Sequence, residues 1–294
     1  MDASRDLYAK FGIIAIRLDD ERYPPLLRET HDAPQVLFVR GNAAVLGHPL
    51  PLAVVGTRKI SPYGAAAVRL IAGPAARAGA AIVSGLALGI DAAAHAAALE
   101  AGGATVAVLA GGVDPPSVGP RTNAALAERI VARGGALISE RPPGSPPTKI
   151  AFPRRNRIIA GMSRGTLVIE AAAKSGSLIT AYLALDAGRD VYAVPGPITS
   201  PGSAGTNGLI RRGAVPVTCA DDLLVPYGLS CAVSAKARVS GAERAVLDAL
   251  AGGPRTVDAV VAATSLGIRA TLAALTALSV AGLVTDDAGT YSKN

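Results

Sequence analysis

The stretch "PLAVVGTRKISPYGAAAVRLIAGPAARAGAAIVSG", residues 51–85, contains two short apolar runs separated by an Ala-rich segment. The apolar runs, PLAVVG and AAIVSG, have the continuous hydrophobic character of strands that are buried on both faces of a sheet. The Ala-rich segment between them favours a helix. A strand, a helix and a second strand in this order predict one unit of a parallel sheet.

The same alternation continues toward the carboxyl terminus. A helical segment separates the strand-like runs at 104–112 and 135–140, and a Pro-rich loop separates 135–140 from the run at 165–171. A further helical segment precedes the strand-like run DVYAVPG. Because crossovers between parallel strands are right-handed, these units predict a Rossmann-like, doubly wound, mostly parallel α/β sandwich. Ligands of such sheets bind beyond the carboxyl ends of the strands, so the residues that follow each strand are the first candidates for a site.

Segments on either side of this core predict further parts of the molecule. The early runs GIIAIRL and QVLFVRG are strand-like and are expected to pack onto the sheet, while the tail contains three helical runs and two strand candidates around Ala288-Gly289, as in a winged helix. The predicted parts are an amino-terminal extension (1–48), a Rossmann-like DNA-binding domain (49–225), a linker (226–240) and a winged-helix-like domain (241–294).

Composition restricts the class of protein. Half of the 294 residues are apolar and only 17% are charged, which is typical of a folded globular chain. No apolar run approaches the roughly 18 residues of a membrane-spanning helix, and the first residues lack the pattern of a secretory signal. The two cysteines, Cys219 and Cys231, have neither metal-site nor disulfide-framework spacing. A cytoplasmic protein without membrane association is expected.

The net charge of +7 is concentrated in the predicted core. Residues 50–215 carry 17 Lys and Arg against 8 Asp and Glu, whereas residues 239–294 carry 4 against 5. A local positive excess favours an anionic partner such as nucleic acid or phosphate, although it says nothing about fold.

The turn after the first core strand reads VVGTRK. The backbone of Gly56, the hydroxyl of Thr57 and the guanidinium of Arg58 together suit a phosphate, but a tight turn with a solvated Arg explains the same residues equally well. The turn has neither the Walker A nor the GxGxxG pattern, so no nucleotide cofactor is predicted. Ser84 and Gly85 repeat the small-residue pattern after the next strand.

Asp91 and His95 lie four residues apart, which places them on one face of a predicted helix. A metal site would require a third ligand and a catalytic pair would require a nucleophile, and the sequence supplies neither nearby. We expect a structural role instead, with Asp91 near the amino end of the helix and bonded to His95. No metal ligand and no catalytic residue is predicted.

The segment TKIAFPRRNRIIAG, residues 148–161, combines an aromatic ring with several cations. Phe152 offers a stacking face to a base, and Lys149 and the neighbouring arginines, Arg154, Arg155 and Arg157, suit phosphates. This combination fits single-stranded nucleic acid, whose bases are free to stack. A core phenylalanine within a solvated charge run is the alternative interpretation.

Two further segments add polar and basic residues. Lys174, Ser175, Gly176 and Ser177 precede a helix and predict an anion-binding helix start, although the same residues also suit an ordinary helix cap. Asn207 with Arg211 and Arg212 forms either another basic strip or a surface loop.

Six motifs occur together in a fixed order: VVGTRK (54–59), IVSGLALGIDAAAHAAAL (82–99), VLAGGVD (108–114), LISERPPG (137–144), FPRRNRIIAGMSRGTLVIEAAAKSGSLITA (152–181) and GTNGLIRRGA (205–214). Together they closely resemble the DNA-processing protein A family (DprA, also called Smf) over about residues 17–224. The resemblance implies a Rossmann-like core that binds single-stranded DNA, forms a homodimer and loads the recombinase RecA during natural transformation. It also implies that the protein is not an enzyme and needs no cofactor.

The resemblance carries over to a set of DNA-binding positions: Gly56, Thr57, Arg58, Lys149, Phe152, Arg154, Asn156, Arg157, Lys174, Ser175 and Gly176. Ser84 and Gly85, at the end of a predicted strand, and Asn207, in the possible basic strip, complete the predicted DNA-binding set. Phe152 is then expected to stack on a base. The sequence departs from the family pattern in two places. Family members often have a tyrosine after GGVD, which the stretch GGVDPPS lacks, and they often have GCN where this sequence has Gly205-Thr206-Asn207.

Two other functions remain open at this stage. A nucleotide-processing N-glycoside hydrolase of a related Rossmann-like fold would use Glu140 or Glu170, but the PGGxGT loop of such enzymes is missing. A duplex-binding regulator would read DNA with the winged helix, yet its third helical run carries only Arg269. A protein-contact role suits that module better.

Overall fold

The computed structural model describes residues 3–231, 240–280, 283–287 and 289–293. By its internal contacts the chain divides into two compact units, Met1–Leu229 and Ser230–Asn294. Most of the predicted linker, residues 232–239, lies outside the described residues. The two units are treated separately below.

The first unit is built on a nine-stranded sheet with the order β1-β2-β6-β5-β4-β3-β7-β8-β9 among the described residues. Strands β3 to β9 run parallel, while β1 and β2 add an antiparallel pair next to β6. This confirms the predicted Rossmann-like, doubly wound sheet. The strand bounds are β1 Ile13–Arg17, β2 Val36–Gly41, β3 Pro51–Val55, β4 Ala81–Ser84, β5 Thr105–Val108, β6 Ala136–Ser139, β7 Gly165–Val168, β8 Asp190–Ala193 and β9 Val215–Pro216.

The central strands are buried at every residue, as their continuous apolar character predicts. Successive residues contribute to different cores: Val106 and Val108 of β5 belong to the cluster that includes Ile158 and Ile159, whereas Ala107 belongs to the cluster on the opposite face. Side chains alternate between the faces of a strand, so each short strand supplies both layers.

Helices cover both faces of this sheet. Their bounds are α1 Ala3–Phe11, α2 Pro25–Arg28, α3 Pro62–Arg77, α4 Ile90–Glu100, α5 Ala124–Ala132, α6 Ala151–Gly161, α7 Ser177–Asp186, α8 Ala204–Arg211 and α9 Asp221–Leu224. Among the described residues of the whole chain, no single helix has the length and apolar character needed to cross a membrane; only the bent pair Val257–Thr264 and Ile268–Ser279 passes that test jointly.

The sequence-based interpretation of residues 151–161 as part of a Pro-rich loop is wrong, because these residues form helix α6. Pro153 is the third residue of α6, where the missing N–H group would have no partner within the helix anyway, so this proline is compatible with a helix start. Ile158 and Ile159 are buried and bind the helix to the sheet. The ring of Phe152 therefore lies in the first turn of a helix.

Arg155 of α6 is buried, with 5% of its surface exposed. Its guanidinium donates hydrogen bonds to the carbonyl oxygens of Gly85 and Val108, at the carboxyl ends of β4 and β5. A Cβ atom at Gly85 would collide with the guanidinium, so only glycine allows this approach. Arg155 thus fixes α6 over the strand ends.

Asp91 is the buried counter-charge of this cation. Its Oδ2 accepts hydrogen bonds from the backbone N–H groups of Gly85 and Ala87, at 3.1 and 3.4 Å. Burial raises the pKa of Asp91, and the positive charge of Arg155 partly offsets that rise. Burial likewise lowers the pKa of Arg155 to about 10, with the charge of Asp91 acting in the opposite direction.

The predicted hydrogen bond between Asp91 and His95 is wrong. The Nδ1 atom of His95 lies 2.7 Å from the hydroxyl of Thr105, a residue of the neighbouring strand β5. The two side chains share a helix, as predicted, but Asp91 bonds to the loop before α4 while His95 reaches the sheet. Burial, together with the charge of Arg155, lowers the pKa of His95 to about 3.

In the part of the second unit that the structure describes, three helices accompany a small antiparallel sheet of order β10-β12-β11. Its element bounds are α10 Gly241–Ala249, β10 Arg255–Thr256, α11 Val257–Thr264, α12 Ile268–Val280, β11 Val284–Asp287 and β12 Thr290–Lys293. Ser240 and Glu243 form a capping box at the start of α10. The arrangement confirms the predicted winged helix; Ala288, in the predicted hairpin turn, lies outside the described residues.

We expect Arg155→Met to lower the free energy of unfolding by about 3 kcal/mol, because it leaves Asp91 as an uncompensated buried charge and two carbonyl groups without donors. Arg154→Met is the matched control, because Arg154 is the exposed neighbour on the same helix and should change stability by less than about 0.5 kcal/mol. Urea unfolding of both variants measures the difference. Equal stability of the two variants would show that Arg155 does not fix α6.

His95 should make the fold less stable in mild acid. Its pKa is about 3 in the folded chain and 6.5 ordinarily, so below pH 6.5 the unfolded chain binds a proton that the folded chain excludes. The free energy of unfolding should therefore fall by up to about 1.4 kcal/mol per pH unit from this residue as pH decreases. His95→Leu should flatten the slope between pH 6.5 and 5, since Thr105 keeps its bond to Ile82. An unchanged slope in urea titrations would contradict this assignment.

Candidate nucleic-acid interface

The parallel strands place the predicted site loops along one edge of the sheet. Chain order reverses between β3 and β7, which are neighbours in the sheet although three strands separate them in sequence. In doubly wound sheets this reversal leaves a crevice beyond the carboxyl ends of the two strands. A pocket of about 180 Å³ opens there, lined by the turn after β3, by residues of α6 and by the start of α7.

The turn after β3 is held close to its neighbours. A Cβ atom at Gly56 would lie 2.6 Å from a side-chain carbon of Ile90 and 2.9 Å from the carbonyl oxygen of Glu170. The N–H group of Thr57 donates to that same carbonyl oxygen at 2.7 Å, and the N–H group of Ile90 donates to Thr57 at 3.1 Å. These bonds fix the turn between the segments after β7 and β4, and Arg58 extends from it with an exposed side chain.

The start of α7 forms the opposite wall of the pocket. Ser175, Gly176 and Ser177 line it, and Gly176, at the N-cap position, provides no side-chain cap for the helix. The hydroxyl groups of Ser175 and Ser177 are 2.8 Å apart. The N–H groups of Ser177, Leu178 and Ile179 are bonded within this turn, so the positive end of the helix dipole and the serine hydroxyl groups are what the wall offers to an anion.

Arg58 and Phe152 form a ridge at the mouth of the pocket. The guanidinium carbon of Arg58 lies 5.1 Å from the centre of the Phe152 ring, a distance at which a cation is attracted to an aromatic face. The ring is partly exposed, so the alternative of a sealed core phenylalanine does not apply. We refer to these two residues as the Arg58–Phe152 ridge.

Exposed cations surround this edge of the sheet. Arg58, Lys59, Lys149, Arg154 and Lys174 are all exposed. Within the described part of the chain, no ion pair with a carboxylate is found for any of these five. Their charges remain available to an anionic ligand.

The structure places four of the predicted residues away from the pocket. Ser84 is buried and its hydroxyl donates to the carbonyl oxygen of Val54, and Gly85 lies against Arg155. The Arg157 side chain does not line the pocket and forms ion pairs with Asp32 and Glu140, at 2.8 and 2.6 Å. The amide of Asn207 both accepts from and donates to the backbone of Gly196 and so fixes the loop after β8.

Three more predicted residues lie beside the pocket. Lys149 and Lys174 do not line the pocket. Lys174 directly precedes Ser175, which lines it, and Lys149 lies three residues before Phe152, which also lines it. Arg154 faces a separate cavity of about 60 Å³ beside the ends of β5 and β6. The pocket itself contains Gly56, Arg58, Phe152, Asn156, Ser175 and Gly176 from the predicted set.

Several pocket residues were missed by the sequence analysis. Ala87 reaches the pocket from the loop after β4, and Ile159 and Thr180 reach it from α6 and α7. A helical period across residues 151–161 would have placed Ile159 one turn beyond Arg155 on the same face. Nothing in the sequence marks Ala87, whose position depends on the packing of its loop.

The acidic residues near this edge are already bonded. Glu140 pairs with Arg157, and the Oε2 atom of Glu170 accepts from the backbone N–H of Ser61 at 3.1 Å. Glu170 is also buried and does not line the pocket. Asp91 does line the pocket, but its Oδ2 binds two backbone N–H groups.

Comparison with known proteins gives matches to both parts of the chain. The family model "DNA recombination-mediator protein A" matches residues 14–228, and the model "DprA winged helix domain" matches residues 232–290. Protein Smf of Escherichia coli is 50% identical over 216 residues, which are 73% of this chain and 57% of that protein. The chain therefore spans little more than half the length of this relative.

Two solved structures have the same fold. DNA processing protein A from Streptococcus pneumoniae is 42% identical, with a TM-score of 0.69, and covers 76% of this chain and 77% of its own. DNA processing protein A from Helicobacter pylori, whose structure describes a single-stranded DNA binding mode, is 29% identical, with a TM-score of 0.64, over 72% of this chain and 94% of its own.

The motifs, the sheet order and the two domain matches therefore lead to one conclusion. The chain belongs to the DNA-processing protein A family, whose core domain is described as DNA recombination-mediator protein A.

Proposed function

We propose that the carboxyl edge of the sheet binds single-stranded DNA. The Arg58–Phe152 ridge carries this proposal, because it places a partly exposed aromatic face and a guanidinium beside the start of α7. Unpaired bases stack on aromatic rings, and their phosphates suit the helix start and the exposed cations. The single-stranded DNA binding mode described for the H. pylori relative supports the same assignment.

The wider role that we propose is recombination mediation in the cytoplasm, where the protein protects incoming single strands and loads RecA during natural transformation. Its support is membership in a family described as recombination mediators. A mediator needs to hold the strand without regard to sequence, and phosphate contacts with base stacking provide such binding.

A hydrolase of nucleotides is the weaker alternative. Acid–base cleavage of a glycosidic bond needs a carboxyl group within reach of the bound substrate. Glu140 is paired with Arg157, and Glu170 is buried with its carboxylate bonded to the backbone N–H group of Ser61. Neither of these candidate carboxylates lines the pocket. We therefore assign the protein a binding function without catalysis.

We also propose a homodimer. Ile179, Tyr182 and Leu185 are exposed on α7, and Val215 is exposed on β9, the edge strand of the sheet. Apolar side chains exposed together on a helix and beside a sheet edge favour association with another chain. A second copy of this chain provides the same face, as a two-fold interface requires.

Arg58→Ala and Lys149→Ala should each weaken binding of single-stranded oligonucleotides of every sequence and reduce the salt slope of binding by up to about 0.7 per lost phosphate contact. Phe152→Ala should cost about 1–3 kcal/mol through lost stacking and should leave the salt slope unchanged. Gel shifts and fluorescence titrations at several salt concentrations measure both effects.

Arg69→Ala is the matched control for these variants, because Arg69 is exposed on α3 and does not line the pocket. Single-stranded and duplex oligonucleotides of equal length should be compared throughout. Unchanged affinity and slope in all three site variants, or tighter binding of duplex than of single strands by the parent, would contradict the proposed interface.

Leu185→Asp should shift the dimer toward monomer, because it introduces a charge into the proposed apolar contact. Light scattering at several protein concentrations measures the mass. Leu70→Asp, at an exposed apolar residue of α3, is the control. A monomeric parent, or a dimer that Leu185→Asp leaves intact, would count against this face.

A further inference from the structure

The cavity of about 60 Å³ beside the ends of β5 and β6 adjoins the larger pocket described above, because Arg155 lines both. Residues two positions apart lie on nearly opposite faces of a helix, so Phe152 lines the larger pocket while Arg154 lines this cavity. Strand β5 lies two strands from β3, which corresponds to about 10 Å at the usual spacing of neighbouring strands. We refer to this space as the α6 cavity.

Two guanidinium groups line the α6 cavity, those of Arg141 and Arg154. Arg154 is exposed and Arg141 is half-buried. Within the part of the chain that the structure describes, neither side chain forms an ion pair or a hydrogen bond, and the Nε atom of Arg141 is shielded from solvent. A shielded donor without an acceptor costs free energy, which a ligand that accepts from it would recover.

The other groups of the α6 cavity are compatible with an anion. The side chain of Thr148 forms part of its wall and carries a hydroxyl group. Among the described residues that line the cavity, Glu140 is the one carboxylate, and it accepts from Arg157 at 2.6 Å. The guanidinium of Arg155 is bonded to backbone carbonyl groups. The two guanidinium groups without partners therefore set the charge of the cavity.

The loop that carries Arg141 is held in place before any ligand binds. The backbone N–H of Arg141 donates to the hydroxyl of Ser139 at 3.0 Å. Further along the loop, the N–H of Gly144 donates to the carboxylate of Asp114 at 2.7 Å, and Asp114 is buried in the loop after β5. A loop that is already fixed loses less conformational entropy when its side chain binds a ligand.

Resting on the proposed function, we infer that the α6 cavity binds a second phosphate of the single strand whose first phosphate is held by Arg58. A guanidinium donates two parallel hydrogen bonds to phosphate oxygens, and the hydroxyl of Thr148 is a further donor. A base would leave the guanidinium groups without acceptors of matching charge. The separation of about 10 Å between the strands concerned assigns the two phosphates to different nucleotides.

This assignment gives the bound strand a path. It would run along the carboxyl edge of the sheet from β3 toward β6 and pass over the first turn of α6. Strand β9 lies at the other end of the sheet order, so the strand would leave the proposed dimer face uncovered. Each protomer of a dimer could then hold its own stretch of DNA.

Arg141→Met tests the inference, because it removes the guanidinium and keeps the aliphatic stem. The probe is an oligothymidylate of about 12 nucleotides, within the usual size of a single-strand site. We expect about tenfold weaker binding than by the parent and a salt slope smaller by about 0.7, since one charge-assisted phosphate contact is lost. In the double variant Arg58→Ala/Arg141→Met the slope should fall by about 1.4, because two different phosphates lose their partners.

Arg133→Met is the matched control, because Arg133 is exposed and lines neither the larger pocket nor the α6 cavity. Arg141→Lys keeps the charge and should retain the salt slope of the parent. Urea unfolding of every variant checks that the fold is intact. If Arg141→Lys loses as much slope as Arg141→Met does, the effect is one of packing and the phosphate site is refuted.

Three other results would overturn the second phosphate. In the first, Arg141→Met binds the probe as well as Arg133→Met does. In the second, the double variant has the slope of Arg58→Ala alone. In the third, inorganic phosphate raises the melting temperature of the parent but not of Arg141→Met, while both bind the probe equally, which would identify a site for free anions. If the parent binds and Arg58→Ala weakens binding, these results remove only the α6 cavity. A parent that does not bind the probe would overturn the proposed function as well.

Discussion

The buried guanidinium of Arg155 determines where α6 lies on the sheet. It binds carbonyl groups at the ends of two adjacent strands, and Asp91 supplies the opposing charge from the start of α4. Phe152 is three residues earlier on the same helix, nearly one turn away. When Arg155 points inward to the strand ends, the ring of Phe152 lies at the rim of the crevice. The structural cation thus positions the aromatic residue that we assign to DNA binding.

The Arg58–Phe152 ridge divides the surface by polarity. The helix start and hydroxyl groups lie on one side, and proline and leucine lie on the other. A single strand of DNA has the same division along each nucleotide, with a charged phosphate and an apolar base face. Exposed cations around the edge would add attraction at long range.

Several features were predictable because they depend on local residue patterns. Continuous apolar runs identified the central strands, and the strand-end rule placed Gly56, Arg58 and the segment 175–177 on one edge. Helix α6 was missed because Pro153 and three arginines resemble a loop when they are considered without their packing. The Asp91–His95 bond was expected from spacing alone, yet the two side chains reach different partners. Spacing indicates that two side chains share one face of a helix, but it does not identify the groups of neighbouring elements with which each side chain bonds.

The sequence by itself determined the class of fold, the winged-helix tail and the family, because hydrophobic period and ordered motifs are properties of the chain. Only the tertiary structure decided which cations are free: Arg154 and Arg58 are exposed, whereas Arg155 is buried and Arg157 is paired with Asp32 and Glu140. The reason is that charge is visible in sequence, while desolvation and pairing depend on residues that are distant along the chain.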